Sequence, residues 1–291
     1  MPANARKLIR KMRGGAQAHL IEADDDKFYV VKFQNNPQHR RILVNEWIAS
    51  RCLDYLQIAV PAAALVQLSE QFLLENPEVY IQLGTTRSPV AAGWHFGSRF
   101  PGDPATATVY DFLPDSLLSK VENLNEFLGI LVFDQWTANS DARQSIFRRA
   151  RLKEFARMSS VHPLRTGFFA LMMDHGYIFN GPHWDYSDSP QQGLYSRPMV
   201  YEKVVGLESF QPWLDRVIHF PESVLDEAYR SIPPEWVRGD AGELESILEN
   251  LMRRRKRVAD LIKRCSESRV RPFPNWNRFP ASMYGAIDPS A

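Results

Sequence analysis

Phe168-Phe169-Ala170-Leu171-Met172-Met173-Asp174-His175-Gly176 is a run of six apolar residues that ends in Asp-x-Gly. The run is too short for a helix before its glycine and reads as a buried strand. Asp174 then stands at a strand end, a hard anionic group beside a flexible Gly176, which suits a divalent cation. About thirty residues upstream, the largely apolar run Phe127 to Trp136 leads into Asn139-Ser140-Asp141. One aspartate leaving a helix into a loop and another closing a strand can divide the work of base and metal ligand. Each motif alone is also an ordinary turn. The residues upstream decide between the two readings.

The chain has 291 residues, room for one large domain or for two lobes sharing an interface. Hydrophobic residues make up 44% and aromatics 12%, enough for a sizeable core and against wholesale disorder. The net charge of +1 gives no global reason to expect nucleic acid or an anionic membrane. Local basic patches run over Arg10 to Arg13, Arg148 to Lys153 and Arg253 to Arg257. The last of these is expected to be five cations on one solvated helix face. Cys52 and Cys265 are far apart and read as reduced buried thiols of a cytoplasmic protein. No stretch approaches the roughly 18 apolar residues of a membrane helix. Met1 to Gly15 is basic but has no apolar segment for secretion, so no targeting signal and no membrane contact are expected.

Around Asp24-Asp25-Asp26-Lys27, the β-prone runs His19 to Ala23 and Phe28 to Phe33 predict a hairpin. Helical spacing of Ile42, Trp47, Ile48, Cys52 and Leu56 predicts a helix from Arg41 to Leu56. Ala62 to Leu68, Gln71 to Leu74 and Val79 to Leu83 read as short strands, and Gly97 to Thr108 as a loop or linker. Beyond it, a buried helix is expected over Leu124 to Trp136, and further helices over Val204 to Val217, Glu222 to Ile232 and Gly242 to Arg264. Pro212 could break the first of these three. An irregular tail with Pro272, Pro274, Trp276, Phe279 and Pro280 follows Ser268. The expected fold class is α+β and two-lobed: a small β-rich lobe over residues 1–108, a larger, mainly helical lobe over 109–268, and the tail over 269–291.

Phosphoryl transfer needs a cradle for phosphates, a cation on them, metal ligands and a group that orients the nucleophile. Gly14-Gly15-Ala16-Gln17, just before the hairpin, could bring backbone N–H groups close to phosphate oxygens, or could be a plain turn. Lys32 lies in Val30-Val31-Lys32-Phe33, and Glu46 follows 14 residues later on the helix, where it can turn toward that strand. A Lys–Glu pair would fix the ammonium against phosphates; the alternatives are a solvated lysine and a surface carboxylate. Asp141 could orient an acceptor hydroxyl, Asn139 could brace its loop, and Gln144 could add an amide oxygen near the metal. The seven histidines lack metal-site spacing, and neither a Walker A loop nor a Gly-x-Ser-x-Gly elbow is present.

Gly15-Ala16-Gln17, Lys32, Glu46, Asn139-Ser140-Asp141 and Asp174-x-Gly176 together resemble the HipA-like kinases, relatives of the phosphatidylinositol-kinase-like branch of the protein-kinase fold. Phe133 to Asp141 is similar to the helix and Asn-x-Asp loop of the short, single-chain members. The resemblance runs roughly from Lys11 to Trp184. It implies ATP and Mg²⁺, with Gly14, Gly15, Ala16, Gln17, Lys32 and Glu46 at the nucleotide, Asp141 at the hydroxyl, and Asp174 with Gln144 at the metal. It also implies a hydroxyl acceptor, on a protein in characterised members. Two features depart from the pattern. Ile146 stands five residues after Asp141, where an asparagine is usual, and no regulatory serine lies between Lys11 and Ala18. A kinase-fold binding module without activity and a small-molecule kinase are therefore the alternatives.

Overall fold

The protein is described by a computed structural model that covers residues 2–151 and 166–277. In chain order, the first part comprises β1 (Ala3–Lys11), β2 (His19–Ala23), β3 (Phe28–Lys32), α1 (Arg41–Leu56), β4 (Ala63–Leu68), α2 (Glu70–Glu75), β5 (Tyr80–Leu83), β6 (Thr86–Pro89) and β7 (Gly93–Arg99). The five strands β1-β2-β3-β7-β4 close into a barrel. Alternate residues fill its interior: Ile21 and Ala23, Val31 and Phe33, and Ala64, Val66 and Leu68 form one apolar cluster. That alternation is the period of a strand with one buried face. Phe72, Val79 and Ile81, from α2 and the β5–β6 hairpin, join the same cluster.

The second part comprises β8 (Val109–Tyr110), α3 (Asp115–Leu118), α4 (Glu126–Thr137), β9 (Gln144–Arg151), β10 (Thr166–Met173), α5 (Trp213–Ile218), α6 (Glu222–Arg230), α7 (Ala241–Arg254) and α8 (Val258–Ser266). Strands β8, β9 and β10 form a small antiparallel sheet with β9 in the middle. Every residue of α4 from Phe127 to Thr137 is buried, and α4 sits in a large cluster with Leu244 and Leu251 of α7 and Ile262 of α8. Leu43, Trp47, Ile48 and Leu53 of α1 belong to this larger cluster rather than to the barrel. The α+β architecture, strand-rich first and mainly helical after, is as the sequence predicts.

Four local expectations are corrected, and one strand that the sequence did not reveal is added. Gln71 to Leu74 is not a strand but lies in α2, because the Ser69 hydroxyl caps the helix by accepting from the Phe72 N–H at 3.1 Å. Gly97 to Arg99 belongs to β7, not to a linker, and Gly97 faces Ala64 and Val31. A Cβ on Gly97 would lie 2.5 Å from Cγ2 of Val66, so this glycine serves close strand packing rather than a turn. The basic N-terminal stretch is strand β1; register shifts between Ala5 and Lys7 and between Leu8 and Arg10 break the two-residue alternation that would reveal it. Only Trp213–Ile218 of the span Val204 to Val217 is α-helix, after a 3₁₀ turn at Leu207–Phe210. The long terminal helix is split into α7 and α8 by a 3₁₀ turn at Arg255–Arg257. In the tail, Phe273 is buried with Trp276 stacked on it at 5.5 Å. Phe279 and Pro280, like Lys153 of the second basic patch, lie outside the described residues.

Candidate active site

Lys32 ends β3, and pairing with Phe96 of β7 fixes its backbone. Its Nζ donates to Glu46 Oε1 at 2.5 Å and to Asp174 Oδ1 at 2.7 Å. The ammonium thus joins Lys32 to Asp174, 142 residues on, as well as to Glu46. Glu46 is presented by α1, which Trp47 and Leu43 anchor in the core, and it also accepts the backbone N–H of His175. Burial alone would discharge Lys32, but the two carboxylates outweigh it and hold the ammonium above its ordinary pKa. Burial pushes Glu46 up, and the nearby Asp174 adds to that against the pull of Lys32. For Asp174 burial acts upward as well, but the charge and hydrogen bond of Lys32 prevail and hold it below the usual carboxylate range. Two carboxylates against one ammonium leave the cluster one positive charge short.

Asp174 adopts φ 63°, and the glycine after next is required for packing. A Cβ on Gly176 would stand 2.5 Å from Cγ2 of Ile42 on α1. Gly176 is therefore required by close approach of the helix, a packing role beside the flexibility expected of it.

Asp141 lies in a separate but linked group. Its backbone N–H donates to Asn139 Oδ1 at 3.2 Å, and its Oδ1 accepts the Ala142 N–H at 2.8 Å. Gln144 Nε2 is 3.4 Å from Asp141 Oδ2. Gln144 opens β9 rather than lying in a loop, and it faces Met173, the residue before Asp174. The Ser140 N–H donates to the Tyr177 carbonyl at 3.1 Å, tying the loop of Asp141 to that of Asp174.

Gly14 to Gln17 shares no described hydrogen bond with either group. It is a turn between β1 and β2 with the Gln17 N–H donating to the Gly14 carbonyl at 3.2 Å, and Gly14 takes φ 117°, a conformation that favours glycine. The Gln17 side chain donates to the Gln82 carbonyl at 2.8 Å and accepts the Gln82 N–H at 2.7 Å. Its amide is thus committed to anchoring the turn on β5. Ala16 is half-buried, and Gly14 and Gly15 are exposed.

Sequence reasoning missed the buried scaffold that carries both aspartates. Arg143 and Asp134 are fully buried and paired two-pronged: Nε to Oδ2 at 2.8 Å and Nη2 to Oδ1 at 2.5 Å. Arg143 Nη1 reaches the Met173 carbonyl at 2.8 Å and His175 Nδ1 at 3.1 Å, while Asn139 Nδ2 donates to Asp134 Oδ1 at 2.9 Å. Burial and Arg143 keep His175 neutral, its pKa well below the ordinary value. Asn45, beside Glu46, donates to the Gly176, Ile178 and Gly181 carbonyls at 2.7, 3.1 and 3.0 Å and accepts from Trp184 Nε1 at 2.8 Å. The one signal in the sequence was polarity out of place: an acid and an asparagine inside apolar helices require buried partners.

Among the described residues, no group of three or more His, Cys, Asp or Glu side chains could by itself hold a metal. No helix among them is long and apolar enough to cross a membrane.

Compared with known proteins, residues 6–148 match the family described as HipA-like kinase. No curated protein matches the chain. Among solved structures the chain is similar to the Golgi casein kinase at 13% identity and a TM-score of 0.47, covering 92% of this chain and 74% of that one. The same kinase with Mn and ADP bound matches at 11% identity with the same TM-score and coverages.

Proposed function

Over residues 6–148 this chain belongs to the HipA-like kinases, and from that premise we propose that it is an ATP- and Mg²⁺-dependent phosphotransferase acting on a hydroxyl group, on a protein. The observation that carries this reading is the Lys32–Glu46–Asp174 cluster, in which one ammonium is shared at 2.5 and 2.7 Å between residues from opposite ends of the catalytic region. Glu46 holds Lys32 against the site, and Lys32 contacts the phosphates. Asp141, on the loop tied to Tyr177, orients the acceptor hydroxyl and takes up its proton. Gly14 to Gln17 covers the phosphates through backbone N–H groups. The donor set fits a hard cation: the cluster lacks one positive charge, and Asp174 with the exposed Gln144 would hold Mg²⁺ that completes its shell with water and phosphate oxygens. When bound, that ion neutralises charge on the transferred phosphoryl group.

The test is binding of ATP–Mg²⁺ and labelling of a host lysate by wild type, Asp141→Ala and Asp174→Asn. Transfer is expected to fall by about 10²-fold or more in both variants. Equal transfer by wild type and variants would mean that these roles are misassigned. One observation favours a second reading, a kinase-fold binding module without activity. Ile146 lies inside β9 opposite Leu171, so the residue five past Asp141 is an apolar strand residue that offers no metal ligand. Wild type that is stabilised by ATP–Mg²⁺ yet labels nothing, free hydroxyl compounds included, would support that module. Labelling of small molecules alone would make it a small-molecule kinase.

A further inference from the structure

Helix α1 carries Glu46, yet its N-terminus is held by the start of α7, about two hundred residues away. Arg41, the first residue of α1, donates from Nε and Nη2 to the two carboxylate oxygens of Asp240 at 3.3 and 2.8 Å, and also to Glu243. Arg40 adds bonds to Asp240 at 3.4 Å and to the Arg238 carbonyl at 2.7 Å. Two arginines at a helix N-terminus oppose its dipole, and α1 has no acid of its own in the first turn. Asp240 and Glu243 supply that negative charge from outside. They do so at the start of α7, where carboxylates are favourable for that helix as well.

From Arg41 the contacts run inward without a gap. Its Nη1 donates to the Pro182 carbonyl at 3.1 Å, and its guanidinium lies 4.3 Å from the ring centre of Trp184. Trp184 donates to Asn45, Asn45 holds the Gly176 carbonyl, and Glu46, the next residue on α1, receives Lys32. Core packing through Trp47 and Leu53 holds α1 in the molecule. Apolar contact by itself is not directional, so the rotation and height of the helix end that presents Glu46 rest on its polar anchors as well. The fork of Arg41 is directional.

We propose that Arg41 is a positioning residue for the Lys32–Glu46–Asp174 cluster. Clamped by Asp240 and Glu243, it sets α1 and the loop from Asp174 to Trp184 in one register, so that the terminal helical region is a working part of the phosphate-handling site. This rests on the phosphotransferase reading for its purpose, but not for its geometry, and the test separates the two. Lys32 acylation by an amine-reactive ester, without nucleotide, is followed by mass spectrometry with exposed Lys263 as internal standard. In Asp240→Asn the clamp loses its two-pronged carboxylate and keeps only Glu243, and Lys32 is expected to react about tenfold faster relative to Lys263, the factor of one hydrogen bond to a charged group. Asp240→Glu, which keeps the carboxylate, is expected to react at the wild-type rate. A folded Asp240→Asn with unchanged Lys32 reactivity overturns the proposal. Should Asp240→Asn fail to fold, Arg41→Lys, which keeps the charge but loses the fork, decides by the same measurement. Wild type that binds no ATP–Mg²⁺ would defeat the phosphotransferase reading while leaving the labelling result intact.

Discussion

Asp134 and Arg143 are the residues on which the site stands mechanically, although neither is proposed to touch substrate. Both side chains are wholly removed from water, and Nη1 of Arg143 is satisfied by Met173 and His175. Removing one member strands the other as an uncompensated buried charge, which typically costs about 3–5 kcal/mol. Asp134→Leu and Arg143→Met are each expected to lose that much in denaturant unfolding. The double variant should lose clearly less than the sum, because no charge is left stranded. Strict additivity would show that the pair is not energetically coupled. Gly193 seals this pair: it sits at φ 69°, and a Cβ there would fall 2.0 Å from Cβ of Asp134. At this scale the sequence identified Lys32, Glu46 and Asp174 by residue type and order. It could not identify Arg143 or Asn45 as braces, because their role is defined by partners up to 139 residues away and by burial.

Helix α4 ends where Ala138 turns left-handed, leaving its last carbonyls without intrahelical donors. Arg254 provides them. Its Nε donates to the Trp136 carbonyl at 2.8 Å and its Nη2 to that of Gln135 at 2.9 Å, and its Nη1 pairs with Asp188 at 2.6 Å. A cation at a helix C-terminus is favourable in its own right. The basic run Arg253 to Arg257 is therefore only in part the solvated face that its composition suggested: Arg253, Lys256 and Arg257 are exposed, but Arg254 is buried. Arg255 donates to the Phe220 carbonyl at 2.6 Å, Arg257 pairs with Asp188 at 2.9 Å, and Arg253 makes an exposed pair with Glu249. Arg254→Ala is expected to destabilise by about 2–4 kcal/mol through lost charged hydrogen bonds, and Arg253→Ala by less than about 0.5 kcal/mol. Thermal or urea unfolding of the two variants checks this, and equal effects would refute the capping role. The elements legible in the sequence were those with clean periodicity, such as α1. Strand β1 hid behind its register shifts, and β9 behind Arg148, Arg149 and Arg151, which crowd its second half.

Across the whole molecule, buried histidines set the acid response. His95 is buried in the barrel wall as the Nε2–H tautomer, since its Nδ1 accepts the Gln34 N–H at 3.1 Å and its Nε2 meets the Ala91 carbonyl at 3.0 Å. Burial pushes its pKa down to about 4. A histidine lowered in the folded state takes up its proton on unfolding, so its contribution is whole above about pH 6.5 and declines as pH falls toward 4. His175 acts in the same direction. Glu46 and Asp134 are shifted upward and act with the opposite sign, so His95 is read by difference. Between pH 6.5 and 4, wild type is expected to lose stability more steeply than His95→Gln by about 1 kcal/mol per pH unit. Parallel curves from urea titrations would rule this out. By itself the sequence determined the strand-rich beginning, the helical remainder, and the order of Lys32, Glu46, Asp141 and Asp174 along the chain, because residue type and periodicity are local properties. Only the tertiary structure decided that Lys32 is shared between Glu46 and Asp174, that Gln17 is spent on Gln82, and that α1 is clamped by α7. Those outcomes depend on which segments meet after the chain closes on itself, and on which polar groups lose water when they do.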